Sequence, residues 1–165
     1  MREQPTEPTQ PTEPTGSTEQ VTPTGAGPVS HAIFRVARLH RALAGRLLRE
    51  TGLHTGQELI LMALWDHGPQ RQVDLVAAVE TDAPTMARSI ARLEKSGLVR
   101  RSASPDDRRA VIVEATEASL ALRAKVVDAW AELERLTTTG LDPARQAEIL
   151  ANLGLLESVL TEASR

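Results

Sequence analysis

The sequence contains no cysteine and no tyrosine, and its only aromatic residues are Phe34, Trp65 and Trp130. The missing thiols exclude cysteine nucleophiles, thiol-based redox sensing and cysteine-rich zinc sites. So few aromatics argue against a stacking platform for single-stranded nucleic acid. Long apolar runs are lacking too. The longest is Leu59 to Trp65, and the N-terminus opens on acids, prolines and threonines, so neither a membrane span nor a signal peptide is expected and the cytoplasm is the default location. Positive charge is also short. The formal net charge is −3 and the pI about 5.8, unlike the basic footprint usual for a nucleic-acid binder.

What is present suits one globular unit: 165 residues, 41% of them hydrophobic, build one core without disulfides or structural metals. Residues 1–29 carry Pro5, Pro8, Pro11, Pro14, Pro23 and Pro28 among threonines and glutamates, a composition that cannot offset its own conformational entropy and predicts a disordered tail. Arg2 against Glu3, Glu7, Glu13 and Glu19 gives that tail the whole net charge of −3, so residues 30–165 are neutral. The neutral part is polarised. Residues 83–113 hold seven cations against three acids (+4), whereas residues 114–165 hold five against nine (−4).

The remaining pattern predicts a mainly α protein with a small β-hairpin. Ser30 is positioned to cap a first helix that ends near Gly52, apolar on two faces through Ile33, Ala37, Ala44 and Leu47 and through Val36, Leu39 and Leu43. Thr55-Gly56-Gln57-Glu58 reads as a capping box for a second helix through Trp65, stopped by Gly68-Pro69. A third helix runs from Gln72 to Val79, and Thr81-Asp82-Ala83-Pro84, with a capping side chain and proline in the first turn, starts a fourth that stops at Gly97. Leu98–Ser102 and Ala110–Glu114 read as two strands around a charged turn. One long helix capped by Thr116 and reaching about Thr139, and another opened by Asp142-Pro143 and reaching about Ala163, close the chain. Both are apolar on more than one side, which implies a partner subunit.

On a wheel of about 100° per residue, the helix from Ala83 to Lys95 buries Met86, Ile90 and Leu93 on one narrow stripe. Pro84, Arg88, Ala91, Arg92 and Lys95 lie opposite, with Thr85 at the margin. Long cations and small residues on one face are what a groove-entering helix requires: the cations reach phosphates or guanine edges, and the small residues allow close approach. The preceding helix and turn complete a helix-turn-helix.

The residues from Asp82 to Val99, read with Pro105-Asp106-Asp107-Arg108-Arg109-Ala110, resemble the MarR (multiple antibiotic resistance regulator) family of winged helix-turn-helix transcription factors. The resemblance covers about residues 29–163. It implies a domain over 30–163, with a DNA-binding lobe at about 54–115 and dimerisation helices at about 30–51, 116–139 and 142–163. It also implies a homodimer, with recognition helices in successive major grooves of a pseudo-palindrome and wings in the minor grooves. Thr85 and Arg88 match major-groove contacts, and Asp107 and Arg109 match the wing pair, in which the carboxylate orients the guanidinium. Arg92, Lys95 and Arg108 complete the expected DNA-binding set. One departure is Glu114-Ala115-Thr116, where the family usually has leucine before the threonine.

Many members of that family release DNA on binding a small anionic aromatic ligand between the two lobes, for which His40, Trp65 and Trp130 are the candidates here. No catalytic residue, metal site or cofactor is expected. The four histidines lack metal-ligand spacing, and no nucleophile elbow, glycine-rich phosphate loop or paired-carboxylate context is present. The expected partners are double-stranded DNA and a second copy of the chain, with no membrane. The expected function is a ligand-responsive repressor. The competing readings are a winged-helix module that binds an acidic protein and a non-specific architectural DNA binder.

Overall fold

The computed structural model describes residues 26–105, 107 and 110–165. Residues 1–25 of the expected tail, and Asp106, Arg108 and Arg109 of the expected wing, lie outside the described residues. The chain divides into two units between Val36 and Ala37. The described part of the first is the opening of helix α1 (Pro28–Leu47). That helix begins two residues ahead of the expected Ser30 cap: the Gly27 carbonyl accepts the His31 N–H at 2.9 Å, and Pro28 occupies the first turn, where it loses no helical hydrogen bond. Within this unit Val29, Phe34 and Val36 are exposed.

In the second unit α1 ends in a 3-10 turn, Leu48–Thr51, followed by α2 (Gln57–His67), β1 (Gln70–Arg71), α3 (Gln72–Ala78) and α4 (Ala83–Lys95). Strands β2 (Val99–Ala103) and β3 (Val111–Ala115) come next, then α5 (Glu117–Leu120), α6 (Arg123–Thr137) and α7 (Pro143–Ala163). The fold is therefore mainly helical with a small antiparallel sheet, as the sequence predicts. The sheet has three strands in the order β1-β3-β2. β1 escapes the sequence pattern because two residues are too few to show alternation; it pairs Gln70 with Val113 and Arg71 with Ile112.

Three local expectations are corrected. The capping box of α2 does not form: Gly56 is the N-cap with φ 99° and no side-chain cap bond. Glu58 Oε2 accepts from Gly56 N at 2.6 Å and Gln57 Oε1 from His54 N at 2.9 Å, so the first-turn side chains turn back and do the capping. The long helix after Thr116 is broken into α5 and α6. There Ser119, fully buried, donates to the Thr116 carbonyl at 2.8 Å and accepts Trp65 Nε1 at 3.2 Å, and Leu122 N bonds Ser119 O three residues back. A serine side chain that bonds local backbone competes with the regular helical pattern. The third correction is the start of α1, given above.

Leu48, Ile60, Leu61, Leu75, Met86, Ile90, Leu93, Val99, Val113 and Val126 form the core of this unit. The predicted stripe of α4 lies in its middle: Met86 and Ile90 are 0% and Leu93 1% exposed. Helix α7 is the opposite case, with no buried residue.

Candidate nucleic-acid interface

Helix α4 is fixed at both ends by its own sequence. Asp82, extended at φ −82°, accepts the Thr85 N–H at 2.8 Å, and Pro84 sits in the first turn. At the far end Gly97, with φ 72°, takes the left-handed position of a Schellman motif: Leu98 N bonds Leu93 O and Gly97 N bonds Glu94 O, both at 2.9 Å. The same motif ends α3, where Thr81 N bonds Val76 O and Glu80 N bonds Ala77 O. Its left-handed residue is Glu80 at φ 50°, a strained place for a residue with a Cβ.

Between these ends the core stripe holds one side of α4, and Arg88, Arg92 and Lys95 project on the exposed side. Arg88 Nη2 donates to Thr85 Oγ1 at 2.9 Å. Hydrogen bonds from the Thr85 side chain and backbone hold the Asp82 carboxyl below its ordinary range, and the Arg88 charge adds to this. Asp82, Thr85 and Arg88 thus form one ordered group at the start of the helix.

The wing carries fewer available cations than its sequence suggests. Arg101 Nε donates to Glu94 Oε2 at 2.8 Å, tying β2 to the last turn of α4, and Arg100 pairs with Glu114 directly across the β2–β3 ladder. Both arginines counted towards the +4 balance are spoken for by neighbouring carboxylates. Asp107 is exposed at the wing and lines a groove of about 410 Å³ with Arg71, Val73, Ala83 and Val111. Arg71 is the residue that the sequence reading passed over. Asp74 binds it in two-pronged fashion at 2.7 Å and holds its guanidinium strongly charged, with Asp107 contributing. An Arg-x-x-Asp spacing at the start of a helix was the available signal.

A second cleft, of about 480 Å³, lies behind α4. His40, Arg41, Glu58 and Trp130 line it, and Thr85, Met86 and Ser89 contribute from α4 itself. Of the three ligand candidates, His40 and Trp130 come together here; Trp65 does not, its indole N–H being engaged by Ser119 beside the core. Glu58 was not foreseen. Burial pushes its carboxyl up, opposed by backbone hydrogen bonds at Glu58 and Gly56. Among the described residues, Trp130 Nε1 is a buried side-chain nitrogen with no hydrogen-bond partner. Also among the described residues, no group of three or more potential ligands could hold a metal ion, and no helix is long and apolar enough to cross a membrane.

The MarR family model matches residues 53–111. The HTH-type transcriptional repressor NicR of Pseudomonas putida is 32% identical over 122 residues, covering 74% of this chain and 77% of NicR. The chain belongs to the MarR family. Among solved structures, BpsR of Bordetella bronchiseptica, whose DNA binding is regulated by 6-hydroxynicotinic acid, matches with TM-score 0.73 and 31% identity over 79% of this chain and 98% of BpsR. A mutant MarR from E. coli complexed with operator DNA matches with TM-score 0.75 and 22% identity, covering 83% of this chain and 96% of that one, and shares the winged-helix fold. As a MarR-family protein the chain is a DNA-binding transcriptional regulator, and members of this family are regulators rather than enzymes.

Proposed function

We propose that the protein is a homodimeric repressor that acts in the cytoplasm and places its two α4 helices in successive major grooves of a pseudo-palindromic operator. The observation that carries this is the division of α4 into a fully buried apolar stripe and an exposed face bearing Arg88, Arg92 and Lys95. In this reading Thr85 and Arg88 contact base edges, and Arg92 and Lys95 contact phosphates. Asp107, Arg108 and Arg109 form the wing contact, an arginine in a narrow minor groove being favoured by its negative potential.

The same proposal makes the cleft behind α4 the effector site. It takes a small anionic aromatic compound, with His40 and Arg41 near its carboxylate and Trp130 supplying an apolar wall and an unused N–H. Regulation of BpsR by 6-hydroxynicotinic acid supports this class. Because Thr85, Met86 and Ser89 belong to both the cleft and α4, a ligand that fits only one setting of α4 shifts the DNA-binding equilibrium.

Protection footprinting of DNA upstream of the protein's own gene tests the reading. The expected result is a protected pseudo-palindrome with half-sites about one helical turn apart, about 10 bp, that is released by an aromatic carboxylate such as 6-hydroxynicotinic acid. An empty footprint would return the weight to a protein-interaction module or an architectural binder.

A further inference from the structure

Three residues of α4 line the cleft behind it: Thr85, Met86 and Ser89. Met86 is fully buried in the core and offers only a weakly accepting sulfur, so it answers to a ligand only if the helix moves. Thr85 differs. It is half-buried, and its hydroxyl oxygen accepts a hydrogen bond from Arg88 Nη2 at 2.9 Å. One side chain therefore joins the cleft to the exposed guanidinium that reads bases in the proposed function.

The two residues lie three apart, which makes them neighbours on the helix surface. Asp82 Oδ1 accepts the Thr85 N–H at 2.8 Å, a backbone bond that does not depend on the Thr85 side chain. The helix start thus stays capped whatever the hydroxyl does. An arginine has five N–H donors, and giving one to Thr85 leaves enough for a two-pronged contact with guanine O6 and N7. Holding the guanidinium in place beforehand also removes part of the rotamer entropy that a long side chain loses on binding.

The wing cations are held differently. Arg100 and Arg101 are tied to the carboxylates of Glu114 and Glu94, whereas Arg88 is oriented by a hydroxyl that does not neutralise its charge. That bond is also easily moved. Rotation of Thr85 about Cα–Cβ from one staggered position to the next, about 120°, carries the oxygen away from Arg88 without disturbing the buried stripe of α4.

We infer that Thr85 is a positioning residue: besides its own contact with DNA, its hydroxyl sets Arg88 for base contact, and a ligand in the cleft that donates a hydrogen bond to the same oxygen removes that setting. The ligand class is then an aromatic acid that carries a hydroxyl or ring N–H as well as its carboxylate. This rests on the effector-cleft reading and adds the atom through which the cleft acts on the reading face.

Fluorescence anisotropy of the full chain on the footprinted duplex, with and without 6-hydroxynicotinic acid, tests it, together with calorimetry of the same compound on the free protein. In the wild type the compound should weaken duplex binding about tenfold or more. T85V should weaken duplex binding about five- to tenfold by itself, bind the compound within about fivefold of wild type, and respond to it by less than about threefold. In an R88A background T85V should cost about threefold or less, because the hydrogen bond is already gone. T85S keeps the hydroxyl and should match wild type. Equal costs of T85V with and without R88A, or a wild-type response retained in T85V, overturn the inference and leave the effector reading standing. A T85V chain that loses the compound makes Thr85 a ligand contact alone and also overturns it, as does a T85S chain that behaves like T85V. A wild-type chain that does not bind the compound, or binds it and keeps the duplex, overturns the effector reading and the inference together.

Discussion

Helices α4 and α7 are built from similar amounts of apolar residue and end up in opposite states. Met86, Ile90 and Leu93 are buried to within 1%, whereas in α7 Leu150 is 73%, Leu155 64% and Leu160 55% exposed. Small exposed apolar spots are ordinary, but a 21-residue helix with no buried residue is not a finished structure. The contrast separates a helix whose apolar stripe is covered within its own chain from one whose apolar residues are left uncovered, which the proposed homodimer would cover with a second copy.

That contrast can be broken from either side. Met86→Ala, in the complete half, should lower stability by about 2–5 kcal/mol through the cavity it leaves, measured by denaturant unfolding of the full chain; a loss under about 1 kcal/mol would mean that the α4 stripe is not packed as described. In the incomplete half, Leu153→Glu should weaken dimerisation by roughly a hundredfold with helical content kept, measured by concentration-dependent sedimentation. On the reading face, Arg88→Ala should cost about 1–3 kcal/mol of operator affinity and relax base preference, whereas Lys95→Ala should weaken all duplexes alike and reduce the salt slope by about one. Glu80→Gly should raise stability by about 0.5–1 kcal/mol by relieving its left-handed strain, and no change would show that the turn accommodates it. The smallest effect concerns Glu58. Because its folded carboxyl is raised above the unfolded value, the folded state binds the proton more tightly, and stability falls as pH rises through the interval between the two. Glu58→Gln should flatten that slope, and an unchanged profile would remove Glu58 from the account.

Much of this was legible in the order of residues. The α4 stripe, a side-chain cap within Thr81-Asp82 and the Gly97 stop follow from periodicity and capping chemistry, and Asp82 is the residue that caps. What could not be read depends on neighbours distant in sequence. Ser119, just ahead of the break between α5 and α6, meets the Trp65 indole 54 positions away, and Glu94 removes Arg101 from the available cations because β2 folds back on α4. Residues of the cleft were legible singly, as His40 and Trp130, but the sequence could not indicate that Glu58 and the back of α4 face them, nor that Trp65 does not.

In the proposed function the exposed face of α4 recognises a particular duplex sequence. Equilibrium binding of the full chain to the footprinted duplex and to a scrambled duplex of equal length, at several salt concentrations, tests it most directly. A steep salt dependence on both is expected, with a preference of roughly a thousandfold or more for the footprinted site that falls by about 5- to 150-fold in Arg88→Ala. Equal affinity for the two duplexes, with Arg88→Ala indistinguishable from wild type, would contradict it.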